Sequence, residues 1–380
     1  MKEIQMVDLK TQYQKLKNEM DAAILEVIES SAFINGPSVK QFQADLEKYL
    51  GVKHVIPCAN GTDALQIAMM ALGLKPGDEV ITPSFTYIAT TEVMALLGLQ
   101  PVFVDVDPET FCIDPKLIEA KISSKTKAIV PVHLYGQAAN MDAIMQLAKK
   151  HHLFVIEDNA QAIGCDYYHE DGSVSKTGTI GTIGCTSFFP SKNLGAYGDG
   201  GALCTNDDEL AATIRMVANH GQRIKYHHER VGCNSRLDTI QAAVLRVKLP
   251  HLDEYCNARI KVADFYDDFF EKIPEIKTPN RADYNRPVFH QYTLQLTDHI
   301  NRDELKEFLH SKGIPSMVYY PLPAHKQGMF ATFGVSDLVL PVTDDLTKRV
   351  ISLPIHTEMD EEQLEYICNN VIEFITKNRV

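Results

Sequence analysis

The chain has 380 residues, 45% of them hydrophobic and 23% charged, which is ordinary globular composition. A net charge of −13 argues against non-specific binding to nucleic acid or to anionic membranes. No apolar run reaches the ~18 residues needed to span a bilayer, and Met1-Lys2-Glu3-Ile4-Gln5 lacks the apolar core of a signal peptide, so a cytoplasmic location is expected.

In chain order, Tyr13–Glu29 and Ser38–Tyr49 read as helices, with Ser38 as the expected N-cap of the second. From about residue 52 to about 205, short apolar strands alternate with amphipathic helices. The predicted strands are Val52–Pro57, Glu79–Thr82, Gln100–Asp105, Ala128–Val132, Leu153–Ile156, Thr186–Phe189 and Gly201–Thr205. Most are continuous apolar runs, the signature of strands buried on both faces. The helices between them are Asp63–Leu72, Thr90–Leu97, Met141–His151 and Glu209–Asn219. This alternation predicts an α/β fold with a mostly parallel seven-stranded sheet. Asp238–Phe270 reads as one long helical stretch interrupted at Pro250. Beyond it, Arg286–Leu296, Met317–Tyr320 and helices near Arg302–Lys312 and Asp360–Lys377 predict a smaller C-terminal α+β domain. A single core rarely grows past ~250–300 residues, so two domains are expected, 1–250 and 251–380.

The eight cysteines include no C-x-x-C pair and no Cys/His cluster with zinc-ligand spacing, so they read as reduced core thiols. The fourteen histidines include no H-x-x-x-H pair with an acidic partner. No metal is expected.

The chemistry concentrates at two places. Lys192 sits in Ser187-Phe188-Phe189-Pro190-Ser191-Lys192-Asn193-Leu194-Gly195, followed by Gly198-Asp199-Gly200-Gly201. A lysine in such a Ser- and Gly-rich loop is placed to form a Schiff base with an aldehyde, provided burial lowers its pKa. Asp158 ends the strand Leu153-Phe154-Val155-Ile156-Glu157, and Gln161 follows it. A buried carboxylate needs a partner, and a protonated pyridine nitrogen is a suitable one. Lysine plus aspartate is the pair that pyridoxal 5′-phosphate requires.

Three further segments bear on that reading. Asn60-Gly61-Thr62-Asp63 opens a helix after the first strand, where N–H groups can close on a phosphate. The competing reading is an ordinary cap, with Thr62 or Asp63 satisfying the first turn. Ser187 could supply a second phosphate donor, or bond the backbone as a strand hydroxyl. In Pro83-Ser84-Phe85-Thr86-Tyr87, Phe85 reads as core and Tyr87 as a ring that stacks on the cofactor. Gln222–Asp238 carries Arg223, Lys225, Tyr226, His227, His228, Arg230, Asn234 and Arg236, an anion site or a solvated loop; Asn234 could instead cap the next helix. The glycines from 195 to 201 do not match G-x-G-x-x-G, which disfavours a nicotinamide dehydrogenase.

These motifs, taken with Asn35-Gly36-Pro37, Val132-His133-Leu134-Tyr135-Gly136-Gln137 and Gly232-Cys233-Asn234-Ser235-Arg236-Leu237-Asp238, give the chain a close resemblance to the DegT/DnrJ/EryC1/StrS sugar-nucleotide aminotransferases. The likeness covers nearly the whole chain and implies the fold of the fold-type-I pyridoxal phosphate transferases. It implies that Lys192 carries the cofactor, Asp158 pairs with the ring nitrogen, Gln161 contacts the ring hydroxyl side and Tyr87 stacks on the ring. Gly61, Thr62 and Ser187 then hold the phosphate. Asn234 reaches the phosphate of a neighbouring subunit's cofactor, which implies a homodimer with shared active sites. Arg236, Tyr319 and Tyr320 are the candidates for the sugar-nucleotide site. The implied donor is L-glutamate, released as 2-oxoglutarate, and the acceptor is a nucleotide-linked keto sugar for cell-surface polysaccharide or glycan precursors.

Relatives that act as dehydratases replace the lysine with histidine; Lys192 favours transamination. Many relatives carry His-Tyr-Pro where this chain has Tyr319-Tyr320-Pro321. The lysine loop looks most like the branch acting on UDP-linked 3-keto hexuronates, with TDP-linked 3-keto-6-deoxy sugars close behind. A dehydratase and a non-catalytic regulatory protein that binds the cofactor are the alternatives.

Overall fold

A computed structural model describes residues 2–378. Helices α1 (Leu9–Ser30) and α2 (Pro37–Leu50) precede the sheet. Then come β1 (His54–Cys58), α3 (Gly61–Ala71), β2 (Glu79–Pro83), α4 (Ala89–Leu96) and β3 (Gln100–Val104). A short α5 (Pro115–Ile118) leads to β4 (Thr126–Ile129), α6 (Met141–His151) and β5 (Phe154–Asp158). The hairpin β6 (Asp166–Tyr168) and β7 (Val174–Lys176) precedes β8 (Ile183–Ser187) and β9 (Gly201–Thr205). After α7 (Asp208–Ala218) and the small hairpin β10 (Gln222–Ile224) and β11 (His227–His228) come α8 (Thr239–Lys248) and α9 (Leu252–Phe270). The remainder is β12 (Ile276–Lys277), β13 (Asn285–Arg286), β14 (Tyr292–Leu296), α10 (Arg302–Ser311), α11 (Pro341–Arg349), β15 (Val350–Leu353) and α12 (Glu361–Lys377).

The main sheet has seven strands in the order β1-β9-β8-β5-β4-β2-β3. Only β9 runs against its neighbours, so the expected mostly parallel sheet is present. Its strands are buried on both faces, and successive side chains enter different cores. Val55, Ile81, Ile129 and Val155 point into one, and Ile56, Val80, Ala128 and Ile156 into the other. A third core forms where α9, α10 and α12 cover the sheet β12-β14-β15, around Tyr266, Phe270, Leu294, Leu309 and Ile367. Side-chain caps fix several helix starts. Asn140 accepts from Ala143 N–H at α6, Asp207 from Leu210 N–H at α7, and Asp360 with Gln363 forms a capping box at α12.

Several local expectations are corrected. Ser38 is not the cap of α2; Gly36 is, with Pro37 at the first helical position, where its missing N–H costs nothing. The strand expected at Thr186–Phe189 is Ile183–Ser187, because pairing with β5 and β9 starts earlier and ends where Phe188 turns into the core. Met317–Tyr320 is not a strand and makes one isolated bridge, Met317 to Ser352. Arg286–Leu296 splits between two sheets, β13 joining β6-β7 and β14 joining β12 and β15. The interruption at Pro250 is real: a single 3-10 turn, Leu249–His251, separates α8 from α9. All eight cysteines are free, and seven are buried.

Candidate active site

The carboxyl ends of parallel strands line one edge of the sheet, where open α/β folds place their ligands. A cleft of about 790 Å3 opens there. The loop after β1 and the start of α3 bring Asn60, Gly61 and Thr62; the loop after β2 brings Thr86 and Tyr87; the end of β5 brings Asp158, Ala160 and Gln161. Ser187 ends β8, and the loop beyond it carries Phe189, Ser191, Lys192 and Asp199. The opposite wall is His290, Gln291, Tyr319 and Tyr320.

Lys192 is half-buried. Burial lowers its pKa to about 8, against which nearby Asp158 pulls upward. Among the described residues no hydrogen-bond acceptor holds its Nζ. Asp158 is buried; its Oδ2 accepts from Thr90 Oγ1 at 2.7 Å and its Oδ1 from Ala160 N–H at 3.1 Å. Burial raises its pKa, while the Thr90 and Ala160 bonds and Lys192 pull downward. Thus the cleft pairs an amine poised to be neutral with a carboxylate short of positive charge.

At α3, Asn60 provides the cap: its Oδ1 accepts from Asp63 N–H at 2.7 Å. The expected caps Thr62 and Asp63 are therefore not used, and the N–H groups of Gly61 and Thr62 are left for an anion. Gly61 is required by proximity, because a Cβ there would sit 2.7 Å from Ser187 Cβ. Ser187 Oγ accepts from Phe189 N–H at 3.3 Å, leaving its own proton free for the cleft.

Gln161 is held at both ends. Its Oε1 accepts from Tyr135 N–H at 2.6 Å and its Nε2 donates to Tyr320 Oη at 3.0 Å. Tyr135 Oη donates in turn to the Tyr319 carbonyl. Tyr87 is 57% exposed, its ring 6.2 Å from that of Tyr320, so it stands at the cleft rim as a free face. Phe85 is core, wedged against Phe111, Tyr135 and Tyr320.

Buried groups behind and beside these residues complete the frame. Glu157, buried behind Asp158, accepts from the N–H groups of Gly178, Ile180 and Gly181 and from His133 Nε2. His133 Nδ1 accepts from Ala139 N–H, so the ring is neutral with its proton on Nε2. The wall of His290 and Gln291 is stitched in place by Asn193 Nδ2 donating to Val288 O, and by Arg259 Nη1 donating to the carbonyls of Phe289, His290 and Ile355. Burial pushes His290 well below the ordinary histidine range, so it faces the cleft neutral. Only Asn60 carried a usable sequence signal, an amide three residues before an acidic first turn; nothing local marks Thr90 or His290.

Asn234 and Arg236 do not line the cleft of the single chain. Asn234 is exposed, and the helix after it starts at Thr239 with Asp238 in the N-cap position, so Asn234 is not a cap. Among the described residues no group of three or more His, Cys, Asp or Glu could hold a metal ion. No helix among them is long and apolar enough to cross a membrane.

The lowered lysine gives a direct expectation. In protein freed of any bound aldehyde, modification of Lys192 by an amine reagent should reach half its maximal rate near pH 8, the value to which burial lowers it. An ordinary lysine would climb to about pH 10.4. Mass spectrometry of labelled peptides across pH checks this, and a midpoint above pH 10 at Lys192 would contradict it. The sign for stability follows: between the two values the unfolded chain binds the extra proton, so this lysine's cost to folding shrinks as pH rises.

Comparison with known proteins places this cleft. The chain is 49% identical over 373 residues to a "pleiotropic regulatory protein" of Geobacillus stearothermophilus, with 98% of each chain covered. It is 48% identical to the UDP-2-acetamido-2-deoxy-3-oxo-D-glucuronate aminotransferase of Pseudomonas aeruginosa, covering 96% of this chain and 98% of the relative. The crystal structure of S. venezuelae DesV in complex with a ketimine intermediate superposes with a TM-score of 0.94 at 39% identity, covering 100% of both chains. Residues 14–372 match the model of one family, and the chain belongs to it: the DegT/DnrJ/EryC1/StrS aminotransferase family.

Proposed function

We propose that this chain is a pyridoxal phosphate-dependent aminotransferase that moves an amino group from L-glutamate to a nucleotide-linked keto sugar. The observation that carries the reading is one cleft holding the unpartnered Lys192 amine, the buried Asp158 carboxylate and the open N–H groups of Gly61 and Thr62. These fit pyridoxal 5′-phosphate by charge and donor type. When bound, it supplies an aldehyde that takes up an amino group and a ring that stores an electron pair. Gly61, Thr62 and Ser187 would hold its phosphate, Asp158 a protonated ring nitrogen, Gln161 its hydroxyl side and Tyr87 its face. Lys192, once free, takes a proton from the donor's α-carbon and returns one to the acceptor's carbon.

The Pseudomonas relative's name supports a UDP-linked 3-keto hexuronate as acceptor. A TDP-linked 3-keto-6-deoxy sugar is the second choice, in line with relatives named as dTDP-amino-sugar transaminases. The expected setting is cytoplasmic synthesis of polysaccharide or glycan precursors. Both co-substrates are anionic, yet Lys192 is the one formally basic side chain among the described lining residues. This favours a homodimer in which the exposed loop before α8 enters the partner's cleft. Asn234 would then reach the cofactor phosphate and Arg236 a substrate carboxylate, with Tyr319 and Tyr320 against the sugar. Mixed subunits of Lys192→Ala and Asn234→Ala should recover about a quarter of wild-type activity per site pair, as random pairing with composite sites requires. A fully active monomer would exclude it.

The test of the activity is a donor and acceptor screen. L-Glutamate should yield 2-oxoglutarate stoichiometrically with enzyme, and a 3-keto nucleotide sugar should then restore the starting absorbance. No 2-oxoglutarate in the first step would overturn the proposal. The Geobacillus relative's name raises a second reading, a regulatory protein without turnover. The intact Lys192, Asp158 and α3 terminus argue for chemistry.

A further inference from the structure

Ser84 and His325 form a buried pair that the proposed chemistry does not use. Both are fully buried and neither lines the cleft, so they are not a nucleophile and its base. His325 Nε2 faces the Leu338 carbonyl at 3.1 Å, and a carbonyl only accepts. Nε2 therefore carries the proton, and bare Nδ1 accepts from Ser84 Oγ at 2.7 Å. Ser84 Oγ accepts in turn from His325 N–H at 3.2 Å, and Ser84 O from Ala324 N–H at 2.9 Å. The ring rests on Phe103, 5.9 Å between centroids, in an apolar patch with Phe330 and Leu340.

The position of this pair gives it consequence. Ser84 lies in the loop that carries Tyr87, three residues on. His325 lies five residues beyond Tyr320, across Pro321-Leu322-Pro323-Ala324. Two prolines fix φ in that link, so it transmits position instead of absorbing it. We infer that the Ser84–His325 pair is a clamp that sets the spacing of the Tyr87 and Tyr320 walls and thereby the grip on the acceptor sugar nucleotide. The inference rests on the aminotransferase reading and names positioning residues for its second substrate.

A separate tie keeps the segment folded when the clamp is cut. Asp105 accepts from Val342 N–H, Thr343 N–H and Thr343 Oγ1, anchoring the start of α11. Neither Lys192 nor Asp158 hydrogen-bonds Ser84 or His325, so the clamp reaches the donor step only through the Tyr87 and Tyr320 walls and should affect it less than acceptor binding.

Three variants test the clamp in the holoenzyme: Ser84→Ala, His325→Leu and His325→Asn, whose side-chain oxygen can still accept from Ser84. Amide exchange of residues 317–330 reads the tie itself. Calorimetry with UDP-N-acetylglucosamine, which has no ketone and does not react, reads acceptor binding. Release of 2-oxoglutarate from L-glutamate reads the donor step. In Ser84→Ala, exchange should rise about fivefold and the Kd about five- to tenfold, with the donor step within about twofold of wild type. His325→Leu should exceed this, and His325→Asn should fall between. Unchanged exchange in Ser84→Ala and His325→Leu overturns the clamp, as do equal losses in the donor and acceptor readouts. If wild type ignores L-glutamate, the aminotransferase reading fails, and the exchange measurement still decides the clamp.

Discussion

Lys192→Ala should lower turnover of L-glutamate by at least about 10³-fold while leaving the fold intact. The loss is large because one side chain has two jobs, holding the cofactor and moving the proton, and no other amine lines the cleft among the described residues. The fold should survive for a structural reason. The amine has no acceptor to lose, and burial works against its charged form. Removing it should leave Tm at or above that of wild type. Borohydride reduction of wild type should attach the cofactor to the peptide containing Lys192 and to no other. An adduct on a different lysine, or a variant that keeps a tenth of wild-type rate, would refute the assignment.

Asp158→Asn should cost about 10²–10³-fold in turnover, the range for removing one preorganised charge from a water-poor site. The substitution is nearly isosteric. Its amide oxygen can still accept from Ala160 N–H, and the Thr90 hydroxyl can rotate to accept from the new amide nitrogen. What disappears is the negative charge. Burial raises the pKa of Asp158 above that of a free carboxyl. A raised value means that the folded state favours the protonated form, so the contribution is full at low pH and is lost as pH rises through the folded value. A negative charge on Asp158 in the empty site is therefore held at a cost, which a bound cation offsets. Cofactor should accordingly raise the Tm of wild type more than that of Asp158→Asn, and cofactor-free Asp158→Asn should be no less stable than wild type at pH 7. Equal stabilisation of both proteins by cofactor would remove Asp158 from the role of ring partner.

How much of this was legible in the chain depends on whether the information was local. The continuous apolar runs at Val80, Ile129 and Val155 pointed to a sheet buried on both faces, because their short length and alternation with helical segments favour strands over buried helix. Asp158 at a strand end, Lys192 in its loop and Asn60-Gly61-Thr62 at a helix start were readable for the same reason, each motif being complete within a few residues. Tertiary structure alone decided their convergence. It also supplied the partners: Thr90 for Asp158, 68 residues away, and His325 for Ser84, 241 residues away. Strand boundaries moved because pairing is a property of two strands: β8 ends at Ser187 where β9 stops opposing it, whatever the apolarity of Phe188. Met317–Tyr320 has the composition of a strand but makes a single bridge, Met317 to Ser352, on the open edge of β15. Asn234 and Arg236 show the same limit from the other side: their chemistry was visible in the sequence, and only the folded chain placed them outside its own cleft. Residue type and spacing determine which groups can do chemistry; sheet order, set by burial and hydrogen bonding between distant segments, decides which of them meet.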